Sequence, residues 1–207
     1  MNLNSSAVVK LGGSLLTLAD LAERLDEVVR LLHPLKVLIV AGGGAAADEI
    51  RRLDGICGLT ATQAHWDAIS AMTMNADTLS RVCGCLPVVS SRADAVAAWK
   101  QHDAVLLNTI AFLRAEQTQH SRSLPESWSV TSDSIAAFVA LHWPTAQLVF
   151  CKSCDLMSPN IGQLCQEGVL DAWFPNLVGP LLHSGVRLRW INLRAAIPQL
   201  QPICPTN

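Results

Sequence analysis

The sequence predicts an α/β protein: a three-layer αβα sandwich around a mainly parallel central sheet. Three observations lead there. Short aliphatic runs alternate with longer segments whose apolar residues recur at helical spacing, the signature of βαβ units. The strand runs are apolar throughout rather than alternating, as strands buried on both faces are. Glycine clusters follow the first two runs at once, where a strand must turn tightly toward a helix.

Ala7–Leu11 is the first strand, followed by Gly12-Gly13-Ser14. Leu18, Leu21, Ala22, Leu25, Val28, Val29 and Leu32 mark an amphipathic helix that Pro34 closes. Val37–Ala41 is a buried strand ending in Gly42-Gly43-Gly44. Ala45–Leu53 and Ala64–Val82 read as helices, Pro87-Val88-Val89 and Ala104–Leu107 as short strands, with a helix over Asp94–Trp99 between them. The polar stretch Glu116–Ser127 reads as a flexible loop. Ser132–Leu141 is helical, Gln147–Cys151 is a strand, and Pro175 and Pro180 blur the reading of Gly168–Leu182. Val186–Ile191 is a last strand, with a short terminal helix expected after it.

Composition narrows the function. The 207 residues are 50% hydrophobic and only 15% charged, against about 25% charged in an average soluble protein. A disordered chain is excluded, and a lightly charged surface points to partial cover by another subunit. The net charge is −2, with no basic stripe for a nucleic-acid backbone, so nucleic-acid binding is set aside. The longest near-apolar run, Val37–Ala47, is broken by three glycines and falls far short of the roughly 20 residues that span a bilayer. No membrane partner is expected. The N-terminus lacks a secretory pattern and the seven cysteines are an odd number. Both point to the cytoplasm.

Strand, Lys10-Leu11-Gly12-Gly13-Ser14, helix is an arrangement with chemical use. Glycines let main chain approach an anion, and free amides at the following helix start point at it. A lysine beside them can follow charge that develops on transferring phosphoryl oxygens. Gly42-Gly43-Gly44 repeats the device after the second strand. Adjacent parallel strands would bring both turns to one sheet edge, where open α/β sheets bind ligands. Two such turns suit two phosphates, a donor and an acceptor.

These motifs, followed by Thr131-Ser132-Asp133-Ser134 at the start of an alanine-rich helix, resemble the amino acid kinase superfamily in order and spacing. Ser127–Ser134 and Asp171-Ala172-Trp173-Phe174-Pro175 are similar to its short branch that includes 5-(aminomethyl)-3-furanmethanol phosphate kinase. The resemblance runs from about Val8 to Ile191. It implies one domain over 1–207, with an acceptor-binding part to about residue 145 and a smaller nucleotide-binding part beyond. It also implies transfer of the ATP γ-phosphoryl group with Mg²⁺ bridging phosphates, and a homodimer or higher assembly. By the same resemblance, Lys10 stabilises the transferring group and Gly12, Gly13 and Ser14 wrap the ATP phosphates. Gly42, Gly43 and Gly44 hold a phosphorylated small-molecule acceptor with Ser132 beside them, and Asp133 aims the lysines. Arg51 and His65 match acceptor-side positions.

The chain departs from the pattern after the strand ending at Cys151. Where the family has a Thr-Asp-x-Asp-Gly type of turn, Lys152-Ser153-Cys154-Asp155-Leu156 stands here. Asp155 alone matches as a nucleotide-side residue. A second catalytic lysine on a later helix is missing, which leaves Lys152 to supply that charge or to lie in solvent. Two functions stay open: a kinase acting on a phosphomonoester, and a degenerate member that binds ligands or another subunit without turnover. Trp128 reads either as a liner for a flat substrate or as a half-buried loop residue. Cys151-x-x-Cys154 lacks the second pair of a zinc site, so no metal ligands are assigned to protein side chains.

Overall fold

The computed structural model describes residues 6–119 and 124–203. The strand β1 (Ser6–Leu11) is buried along its whole length and sits near the centre of a seven-stranded sheet. Beside it run β2 (Lys36–Ala41) and β5 (Gln147–Lys152), both parallel to it. Outside β2 lie β4 (Ala104–Leu107) and then β3 (Val88–Val89); outside β5 lie β6 (Arg187–Asn192) and β7 (Gln201–Pro202). Only the β6–β7 pairing is antiparallel. The chain leaves β1 for β2 on one side and later returns to β5 on the other. The carboxyl end of β1 is therefore a topological switch point, the usual ligand crevice of such sheets.

Strand parity sorts the side chains into two cores. Ala7, Val9 and Leu11 face one cluster with Leu21, Leu25, Val28 and Leu32 of α1 (Leu21–Leu32). Val8, Leu148 and Phe150 face the other, with Ile135, Ala136 and Val139 of α6 (Ser132–His142). Lys10 follows Val8 by two residues, and Lys152 follows Phe150 by two. Both lysines are thus delivered to the α6 face. The same layer holds α3 (Ala61–Val82), whose Thr60 forms a capping box with Gln63, and α8 (Pro175–His183). The helix α2 (Gly44–Cys57) lies outside and has no buried residue. No helix among the described residues is long and apolar enough to cross a membrane.

Three expectations need correction. Residues 116–119 are not loop but the end of α5 (Thr109–Gln119), while 120–123 lie outside the described residues. Asn108 starts that helix by accepting from the Ala111 amide with its side chain, a local signal the sequence reading passed over. No helix follows β6 among the described residues. Pro198 cannot donate to a helix ladder, and Arg24 holds the Leu193 and Ala195 carbonyls at 2.7 and 2.9 Å. That clamp feeds the chain into β7. The blurred stretch 168–182 contains most of α8, which carries Pro175 at its start and Pro180 inside. A single 3-10 turn, Gly13–Leu15, follows β1, and the remaining α-helices among the described residues are the short α4 (Arg92–Ala98) and α7 (Ile161–Gln166).

Candidate active site

The two glycine turns touch. A β-carbon at Gly42 would lie 2.6 Å from the Gly13 nitrogen, and one at Gly13 would overlap the Gly44 amide. Gly44 has a φ of +54°, which only glycine adopts readily. Any side chain here would wedge the turns apart. The Gly12 amide donates to Cys151 O and the Gly42 amide to Leu11 O, fixing both turns to the sheet. Asn75 of α3 locks the second turn by donating to the carbonyls of Gly42 and Gly43 at 2.8 and 2.9 Å. Gly13, Ser14, Gly43 and Gly44 line a cleft of about 480 Å³. The helix α2 starts at this cleft with no side chain capping its first turn, a favourable place for an anion.

Across the cleft floor, Asp133 stands between two cations. Lys10 Nζ lies 2.9 Å from its Oδ1 and Lys152 Nζ 2.8 Å from its Oδ2, with the side chains 5%, 13% and 5% exposed for Lys10, Lys152 and Asp133. Lys152 also donates to the Val169 carbonyl at 2.6 Å and lies 5.9 Å from the centre of the Trp190 ring. Burial works to raise the Asp133 carboxyl pKa, but the charges of Lys10 and Lys152 overcome it and hold the group below the usual carboxylate range. Burial, then the Lys10 charge, lowers Lys152 to about 8, against the pull of Asp133. The cluster is two cations on one anion, with a net positive charge facing the glycine turns. It is poised for an incoming polyanion.

Asp133 is free for this work because another carboxylate caps its helix. Asp171 accepts from the amides of Thr131, Ser134 and Phe174 at 2.9, 2.8 and 3.0 Å, from the Thr131 hydroxyl at 3.0 Å, and from the Ser134 hydroxyl. A helix start otherwise leaves its first amides unpaired. Sequence reasoning quoted Asp171 but gave it no role, since its partners lie about forty positions upstream. Asp171→Ala would orphan these donors together and is expected to cost about 3 kcal/mol or more of stability. Urea unfolding midpoints check this, and a loss under about 1 kcal/mol would contradict it.

The side of the cleft beyond Gly42–Gly44 is lined by Ala47, Ala68, Ile69, Met72 and Ile135, with Arg51, His65, Trp128 and Ser132 as its polar and aromatic members. His65 is 5% exposed, not a surface residue. Burial lowers its pKa, with the Glu126 charge and a Ser127 main-chain hydrogen bond opposing. The Ser14 hydroxyl meets Ser153 at 3.1 Å on the opposite side, and Arg194 donates to Ser14 O at 3.0 Å. Asp155 does not reach the cleft. It accepts from Asn192 at 2.8 Å on the exposed rim between β5 and β6. Cys151 is fully buried in β5 while Cys154 is exposed, and burial pushes the Cys151 thiol up to about 12.

Among the described residues no group of three His, Cys, Asp or Glu is gathered to hold a metal ion. Both Asp133 oxygens face lysines, and Asp171 is engaged by main-chain and hydroxyl donors. Asp48 is the remaining cleft carboxylate, with its side chain 75% exposed. That donor set fits a cation that arrives chelated by phosphates and keeps its waters, as Mg²⁺ does. The structure therefore unites Lys10, Gly13, Ser14, Gly43, Gly44, Arg51, His65, Ser132, Asp133 and Lys152 around one cleft. Gly12 and Gly42 shape its turns from behind, and Asp155 alone stands apart. Asn75 and Arg194 were not legible as parts of it.

A seven-stranded, mainly parallel sheet brings twin glycine turns and a Lys–Asp–Lys cluster together at the switch point, the fold and site of an anion-binding α/β protein. Residues 6–158 match the amino acid kinase family, and the chain belongs to that family, a family of phosphotransferases. It is similar to the [5-(aminomethyl)furan-3-yl]methyl phosphate kinase of Methanocaldococcus jannaschii, at 23% identity over 149 residues. That match covers 72% of this chain and 66% of the relative, just under two thirds of its length. Among solved structures, UMP kinase from Ureaplasma parvum superposes with a TM-score of 0.64 at 15% identity, covering 94% of this chain and 92% of that one. Uridylate kinase from Archaeoglobus fulgidus gives 0.60 at 16% identity, with 89% of each chain covered. Aspartate kinase from Synechocystis gives 0.61 at 11% identity over 98% of this chain and 41% of that one. The three structures share the fold.

Proposed function

We propose that the protein is an ATP-dependent kinase that transfers the γ-phosphoryl group to the phosphate oxygen of a small phosphomonoester, forming a diphosphate. The observation that carries this reading is the cluster of Lys10, Asp133 and Lys152 facing two contiguous glycine turns. ATP phosphates would rest on Gly12, Gly13 and Ser14, and the acceptor phosphate on Gly42, Gly43 and Gly44, with Arg51 and Ser132 alongside. Residues to about 145 would then serve the acceptor and those beyond it the nucleotide, Asp155 at the outer rim. The acceptor oxygen is already ionised near neutral pH, so no general base is required. It attacks in line, the bond from the γ-phosphorus to the bridging oxygen breaks, and ADP leaves. Lys10 and Lys152 stabilise charge on the phosphoryl oxygens in flight, and Asp133 keeps both ammonium groups aimed. Mg²⁺ on the nucleotide, when bound, adds further charge neutralisation.

The named relative directs the choice of acceptor toward [5-(aminomethyl)furan-3-yl]methyl phosphate, a step in making methanofuran-type one-carbon cofactors. The apolar side chains of Ile69, Met72 and Ile135 on this side of the cleft are compatible with a small ring. Incubation with Mg-ATP and this phosphate, or UMP as the comparison, followed by assay of ADP and diphosphate, tests the reading. No ADP above background with either would oppose it.

The altered turn from Lys152 to Leu156 favours a second reading, a binding protein without turnover. Mg-ATP separates nucleotide binding from its absence: at a hundred times Kd a binder gains about 2.7 kcal/mol of stability. The position of Lys152 supports catalysis instead, because its ammonium joins Asp133 from β5 in place of a lysine on a later helix.

If Lys152 acts as a cation, its protonated form is the active one. A lysine is charged below its pKa, so kcat/KM is expected to fall as pH rises through about 8. In kcat the limb should lie higher, since bound phosphate anions favour the charged form. Lys152→Arg stays charged and should remove the limb. An unchanged alkaline limb in that variant would exclude Lys152 as its source.

We also propose a homodimer or higher assembly in the cytoplasm. Support comes from α2, unburied throughout, with Leu53 and Ile56 39% and 68% exposed, and from Met74 and Val82 on α3. The described cysteines are free thiols, as a reducing compartment keeps them. Light scattering should return at least twice the chain mass of 22.3 kDa; a monomer mass would refute the assembly.

A further inference from the structure

Arg51 is the acceptor-side cation, yet no carboxylate holds it firmly: its contact with Asp48 is long, at 3.8 Å. What orients it is an indole. The guanidinium carbon lies 4.5 Å from the centre of the Trp128 ring. The indole N–H of Trp128 donates to Asp54 Oδ2 at 2.7 Å. Arg51 and Asp54 are three residues apart on α2, so they share one helix face. Trp128 therefore spans a single helical turn, pinned at its N–H end and presenting its ring to the guanidinium. The loop carrying Trp128 is tied on the other side as well, because Glu126 accepts from Trp66 Nε1 at 2.9 Å and from the Thr62 hydroxyl, both on α3. A salt bridge would spend Arg51's donors on a protein carboxylate, whereas stacking leaves its planar fork of N–H groups available at the cleft wall.

We propose that Trp128, anchored by Asp54, is a positioning residue that sets the Arg51 guanidinium for the phosphate of the acceptor, and so fixes that acceptor as a phosphorylated anion. The inference rests on reading the Gly42–Gly44 side as the acceptor half. Trp128 does not touch reacting atoms. Its loss should weaken acceptor binding and leave the transfer step alone. The loop from Glu126 to Thr131 runs directly into α6, so the residue that orients the acceptor cation and the residue that orients the lysines share one segment.

The test is calorimetric titration of inorganic phosphate into the intact protein, alongside kinetics with the furan phosphate. Arg51→Ala should weaken phosphate binding about tenfold. Trp128→Leu should weaken it about two- to fivefold, the range a cation–π contact supplies. Trp128→Phe keeps a ring and should fall between Trp128→Leu and the parent. Asp54→Ala should act like Trp128→Leu, and Asp54→Asn, which still accepts from the indole, should act like the parent. In turnover, acceptor KM should rise in the same order with kcat and the KM for ATP unchanged. Parent-like phosphate binding by Trp128→Leu would overturn the proposal, as would a fall in kcat with KM unmoved or no phosphate binding by the parent. Phosphate binding that follows the series in a protein that never turns over ATP would sustain the brace and sink the kinase reading instead.

Discussion

Lys10→Ala is expected to lower kcat by a factor of about 10² to 10³ while changing the KM for ATP little, because charge aimed at the moving phosphoryl group acts in the transition state. The structural grounds are specific. Lys10 is 4% exposed on the central strand, points to the α6 face by strand parity, and meets Asp133 at 2.9 Å beside the glycine turn it precedes. Folding should survive its loss, since Asp133 keeps Lys152 as partner. Lys10→Met retains most of the buried stem and serves as the better-packed control. A second consequence follows from the Lys10 charge, which helps to depress Lys152. Without that charge, the alkaline limb of kcat/KM should move upward. Turnover within about threefold of the parent would remove Lys10 from the transfer step.

Asp133→Asn should be at least as damaging to turnover, by about 10³, and it should also destabilise the protein. An amide at this position neither balances nor aims two buried ammonium groups. Removing one member of a buried ion cluster costs about 3 to 5 kcal/mol when the rest stays charged. Lys152 can relieve that by releasing its proton. The unfolded chain then holds more protons than the folded one, so the variant's stability should rise as pH climbs from 6 toward 10. A residue that merely caps a helix predicts otherwise: asparagine is a good cap, so stability and activity would both stay near parent levels. Asp171 already accepts from the Thr131 amide at the cap and the Ser134 amide in the first turn of α6, which argues against the cap. Melting temperature and turnover measured on one preparation across pH decide between them.

How much of this was visible beforehand depends on sequence distance. The sheet, the twin glycine turns and the pairing of Lys10 with the helix opening at Asp133 all express local patterns, and each is present as expected. Lys152 was half legible. Its type and place just past the expected strand suggested a substitute cation, but only register shows that it ends β5, two steps from Phe150, turned toward Asp133 rather than solvent. The supporting shell was not legible. Asp171 reaches back to Thr131 and Ser134, and Asn75 reaches back to Gly42, contacts that no local spacing encodes. Trp128 looked like a loop residue because its partner Asp54 belongs to an exposed helix seventy-four positions earlier. Asp155 was legible as a motif match on the nucleotide side, whereas its hydrogen bond to Asn192 at the rim, thirty-seven positions later, was not.

In the proposed reaction the cluster on Asp133 drives phosphoryl transfer from ATP to a phosphate oxygen. Phosphorus NMR of a reaction holding Mg-ATP, the furan phosphate and the protein tests it most directly. The parent should convert the acceptor's single phosphate resonance into the coupled pair of a diphosphate as ATP becomes ADP, and Lys10→Ala should not. An acceptor resonance that stays single while the parent consumes ATP, or ATP left intact, would rule out transfer to this phosphate.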